Sequence, residues 1–114
     1  MAKDDYSVIV CKILSYLYKK LKKSEEVDKA YVSVDSPLFD IQQPYWEYIM
    51  RHLVSEGLIE GVSLLNVMGR EEPAIRIRNI AISPKGIEYL ENNSGMAKAK
   101  EYLHTVKDLA DIIF

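Results

Sequence analysis

At 114 residues, 48% of them hydrophobic, the chain has the length of one domain and enough apolar material to bury a core. Its net charge of −2 supplies no overall attraction for nucleic acid, and its single cysteine, Cys11, excludes an internal disulfide or a cysteine-based metal cluster. No apolar run approaches membrane-spanning length and no secretory signal is legible, so the expectation is a cytoplasmic protein with no membrane partner.

The spacing predicts a first helix over residues 4–23. Tyr6, Ile9, Val10, Ile13, Leu14, Leu17 and Leu21 recur at intervals of three and four, which puts them on one face and leaves Cys11 off it. Asp4 and Asp5 suit the positive start of this helix, and Lys19, Lys20, Lys22 and Lys23 suit its negative end. Those lysines need no partner to be explained; the sharper reading makes them a phosphate-contacting patch. Residues 1–23 carry +4 and residues 24–60 carry −6, while 61–93 and 94–114 are each neutral.

Beyond Ser24 the periodicity weakens. "AYVSV" predicts a short strand, because Tyr31, Val32 and Val34 favour pleated structure. "DSPLFD" predicts a short helix capped by Asp35 or Ser36, with Pro37 in its first turn. "QQPYW" repeats the device with Pro44, so two helices joined through residues 41–43 form a helix-turn-helix. In the second of these, Trp46, Ile49, Met50 and Leu53 share the core side. Tyr48, Arg51 and Ser55 lie opposite, flanked by Tyr45, Glu47 and His52. Gly57 ends the helix in left-handed geometry.

"LIEGVSLLNVM" and "AIRIRNIAI" then read as a hairpin, with Gly69 and Pro73 in the connection and a register slip near Asn79. Ser83 caps a further helix, "PKGIEYLENN", with Pro84 at its first position. Last comes "GMAKAKEYLHTVKDLADIIF". Here Met96, Ala99, Leu103, Val106, Ala110 and Ile113 form an apolar seam, widened by Tyr102 and Leu109.

The fold class expected is therefore α+β and mainly helical: a winged helix-turn-helix with a two- or three-stranded wing and an extra C-terminal helix. Residues 1–93 make the winged-helix domain. Residues 94–114 pack on that domain or on the partner of a homodimer, whose seam would be the six residues from Met96 to Ile113. "HLVSEGLIEGV", "AISPKGIEYLENNS" and "MAKAKEYLHTVKDL" resemble the YjcQ-type family of small bacterial and phage winged-helix proteins. The resemblance implies the fold and brings no activity with it.

No chemistry-bearing motif appears: there is no P-loop, and no GxGxxG between strand and helix. His52 and His104 sit in no metal-ligand pattern, and Cys11 has no evident base partner. No enzyme, cofactor or metal is expected. Two binding classes remain. The first is a DNA-binding transcriptional regulator. Arg51 would reach a guanine edge and Gln42 or Gln43 would read adenine, beside Tyr48 and Ser55. Arg70 at the wing tip would enter a minor groove, and Lys85 would meet a phosphate. Fold analogy favours this class; the acidity of residues 24–60 counts against it. The second class is a protein-interaction module using Tyr45 and Tyr48 as anchors.

Overall fold

The computed structural model describes residues 4–92. In chain order they form α1 (Tyr6–Lys23), a 3-10 turn (Lys29–Tyr31), α2 (Gln43–Ser55), β1 (Ile59–Leu65), β2 (Ala74–Ile82) and α3 (Pro84–Asn92). The C-terminal helix expected over residues 94–114, and its seam of Met96, Ala99, Leu103, Val106, Ala110 and Ile113, lie outside the described residues.

α1 is the centre of the fold. It contacts α2, α3 and β2, and every residue from Val8 to Leu17 is buried. The one-sided apolar face expected from the spacing is too narrow. Cys11 is in the core rather than beside it, and Leu21 is half exposed. Burial all round brings in Lys12, whose Nζ donates to the carbonyl of Leu38 at 2.9 Å while its methylene stem packs. The helix ends at Ser24 in left-handed geometry, and Glu25 N–H closes on Lys20 O at 3.0 Å.

Residues 24–42 differ most from expectation. "AYVSV" makes no strand. The Asp28 carboxylate accepts the Ala30 N–H and caps a single 3-10 turn in its place. The helix expected in "DSPLFD" is replaced by turns. Ser36 Oγ accepts the Leu38 N–H at 3.0 Å, and the Leu38 carbonyl is taken by Lys12, so backbone groups needed to propagate a helix are used locally and by α1. No regular helix therefore forms over residues 35–40, where the sequence places the first half of a helix-turn-helix.

α2 follows the sequence closely. Pro44 sits in its first turn, and Trp46, Ile49, Met50 and Leu53 are its buried residues. Gly57 follows it at φ 72°. β1 and β2 pair antiparallel as a two-stranded sheet. The register runs Glu60–Ala81 and then Val62–Ile77, so Gly61 alone faces residues 78–80. This bulge is the slip expected near Asn79. A side chain at Gly61 would collide with the Asn79 carbonyl. Val62, Ile75 and Ile77 turn toward the core, while Ser63 and Arg76, which pair with each other, are exposed. Ser83 Oγ accepts the Gly86 N–H at 3.0 Å and donates to Gly57 O at 2.5 Å, which caps α3 and ties it to the end of α2.

The described residues are thus α+β, with three α-helices around an antiparallel hairpin. The arrangement is consistent with a winged-helix-like one.

Candidate functional site

The outward side of α2 is built by a four-residue repeat. Gln43, Glu47 and Arg51 are spaced i, i+4, i+8 and share a stripe. Gln43 Nε2 donates to Glu47 Oε2 at 2.9 Å, and Arg51 Nη1 lies 3.6 Å from Glu47 Oε1. The loop between β1 and β2 folds over this stripe. Its Arg70 Nη2 meets Glu47 Oε1 at 2.6 Å, and its Glu72 Oε2 meets Arg51 Nη2 at 2.8 Å. Two crossed ion pairs therefore fasten the hairpin tip to α2.

This changes the standing of the proposed base readers. Arg51 is not on an open face: only 15% of its side chain is exposed. Arg70 and Gln43 converge on the same carboxylate. Gln42 is the exposed residue before α2 and makes no side-chain cap bond. Ser55 and Lys85 are exposed, with Lys85 beside Gly57. Reasoning from sequence named Arg51 and Arg70 but missed Glu47 as their hub. The i, i+4 spacing could have found the Gln43–Glu47–Arg51 part.

The hydrogen bond from Gln43 first, and then the bond and charge of Arg70, hold the Glu47 carboxyl below its ordinary 4.5 against an opposing effect of burial. A carboxylate lowered in the folded state stabilises above its unfolded value, and that stability is lost as pH falls through the folded value. Arg70→Ala should therefore cost under about 1 kcal/mol at neutral pH, because Arg70 is partly in solvent. It should also shrink the loss of stability below about pH 4.5. Melting temperatures of parent and variant from neutral to acid pH check this. An unchanged acid limb would remove the hairpin from the account of Glu47.

Beside the ion pairs lies an aromatic patch. Tyr48, 47% exposed, tilts against His52 at 4.2 Å between ring centroids, and Tyr6 meets Tyr48 edge-on at 6.1 Å. Tyr45 donates its hydroxyl to Asp4 O at 2.8 Å. Tyr48 and His52 are one helical turn apart and could have been paired from sequence. Nothing in the spacing foretells Tyr6, which comes from α1. Burial and then the charge of Glu56 push the Tyr6 phenol up to about 12 from 10.0. A raised folded value means stability that is present below the unfolded value and is lost as pH rises from about 10 toward 12. Tyr6→Phe should flatten part of that alkaline loss, measured by melts across the same range. Tyr16, Tyr45 and Tyr89 are raised as well, chiefly by burial, and act in the same direction.

At the hairpin end Val67 and Met68 are exposed, Met68 completely. Among the described residues there is no group of His, Cys, Asp and Glu placed to hold a metal ion, and no helix long and apolar enough to cross a membrane. A family model described as YjcQ protein matches residues 11–109. No curated protein and no solved structure matches the chain.

Proposed function

We propose, from the premise that the chain belongs to the YjcQ protein family, that it is a winged-helix interaction module whose α2 face meets a protein rather than duplex DNA. The observation that carries this reading is the Glu47 cluster. Arg51 and Arg70, the two cations best placed to read a groove, are paired with Glu47 and Glu72. A duplex would have to break those pairs and bring its phosphates beside two carboxylates. What the face offers instead is a half-exposed tyrosine over a tyrosine–histidine cluster, with the exposed Val67 and Met68 in the same loop as Arg70. Tyrosine is a common interface anchor because it buries a large area with few rotatable bonds.

DNA binding is the second reading. Support for it comes from Arg76, Arg78 and Lys85, exposed on β2 and α3, and from the place of α2 immediately before the hairpin. Fluorescence anisotropy with random-sequence duplex at low and moderate salt separates the two. The protein reading expects no saturable binding at about 10 μM chain and no salt slope. Binding that weakens steeply with salt and is reduced by Arg51→Ala and Arg70→Ala would replace it with the DNA reading.

A further inference from the structure

The end of α1 opposite Tyr6 carries a second surface. A groove of about 470 Å³ runs between the end of α1, the segment after it and β2. That volume falls within the roughly 300–1,000 Å³ usual for binding pockets. Its apolar lining is Leu17, Leu21, Val27, Ile80 and Ala81. One wall is four successive residues of β2, Arg78 to Ala81, which is how the edge of a strand lines a cleft, over roughly 13 Å at 3.3 Å per residue. β2 pairs with β1 only, and among the described residues its other edge has no backbone partner. The strand that the sequence allowed over "AYVSV", which could have covered an edge, is a 3-10 turn.

We infer that this groove takes an extended peptide from another protein, added as a third strand along the outer edge of β2, with an acidic side chain set against Arg78 and Lys29. Strand addition provides main-chain hydrogen bonds, and alternate side chains of the peptide enter the apolar lining. The acidic preference follows from the rim. Lys20 is paired with Glu25 at 3.7 Å. Arg78 and Lys29 are in none of the ion pairs of the described residues, and with Glu25 set beside Lys20 the remaining acid of the lining is Glu26. A second copy of this chain is a poor occupant. Antiparallel pairing of two β2 edges centred on Arg78 would set it opposite its own copy, and like charges guard such edges against self-pairing.

The test is selection of random peptides, about twelve residues long, displayed against the full chain, followed by anisotropy with the enriched sequences. The expected consensus alternates β-branched or aromatic residues with polar ones around an acidic residue. Arg78→Glu should weaken binding by roughly tenfold or more. Leu21→Asp, at a half-exposed position of the lining, should do the same in a chain whose circular dichroism matches the parent's. Amide signals of residues 78–81 and 25–29 should shift on binding. Failure to enrich any peptide would overturn the proposal, as would peptides indifferent to both variants. Peptides that instead shift the signals of Tyr48 and His52 would overturn it too, while leaving the tyrosine face as the binding site.

Discussion

Trp46→Ala should unfold roughly 3–5 kcal/mol more easily than the parent, the usual cost of truncating a buried aromatic. The side chain is 8% exposed and belongs to the core cluster with α1 and the hairpin. It also carries a specific bond. Its Nε1 donates to the Val32 carbonyl at 3.0 Å, in a part of the chain without regular structure. Val32 is itself fully buried, so removing the indole leaves that carbonyl without its donor. The indole both fills the core and fixes the connection between α1 and α2. Trp46→Phe separates the two roles: it keeps much of the volume and should cost about 1–3 kcal/mol for the orphaned carbonyl. Urea denaturation of parent, Phe and Ala variants checks both values. An Ala variant that melts with the parent would mean that Trp46 is not a core residue. Domains of this size hold roughly 5–15 kcal/mol in total, so the Ala variant should lose a large share of the stability of the fold.

The second large effect is expected at Gly86. It is buried in the first turn of α3, where its N–H meets the Ser83 hydroxyl. A Cβ there would run into the carbonyl of Leu58 and lie 2.7 Å from Ile82 Cγ1. In an open helix, alanine for glycine would stabilise by about 1 kcal/mol. Here the clash decides the sign. The Leu58 carbonyl accepts the Ser83 N–H at 3.1 Å and cannot retreat without losing it. Overpacking of this kind costs typically 1–3 kcal/mol, and a backbone obstacle puts Gly86→Ala near about 3 kcal/mol. Thermal melts followed by circular dichroism test it, with Glu88→Ala, an exposed position on the same helix, as the neutral control. A Gly86→Ala protein more stable than the parent would show that α3 is free to lift from Leu58.

The two substitutions act on two of the attachments that position α2. Trp46 ties it back to the segment after α1. The Ser83–Gly57 bond and the close approach at Gly86 tie its end to α3. The Glu47 pairs are a third attachment, on the solvent side, and a weaker one. Losing Arg70 should leave the fold intact and alter only the face that a partner meets.

What the sequence determined by itself is the set of elements whose signals are local. Helical spacing places α1 and α2, and Pro44 and Gly57 mark the ends of α2. Alternation and turn residues place the hairpin, and the slip at Asn79 is a bulge opposite Gly61. Ser83 before Pro84 marks the start of α3. Each of these depends on residues within a few positions of one another, where geometry follows from spacing and caps. The tertiary structure decided the rest. Residues 24–42 have strand and helix propensity that is overridden because Lys12, Tyr16 and Trp46 engage their backbone. Arg51 reads as an outward cation in its own helix and becomes half of an ion pair because Glu72, 21 residues later, is folded over it. Tyr6 joins Tyr48 and His52 only because α1 and α2 meet. The energy of such contacts depends on separation in space, and local spacing does not encode which distant residues the packing of the core will bring within hydrogen-bonding reach.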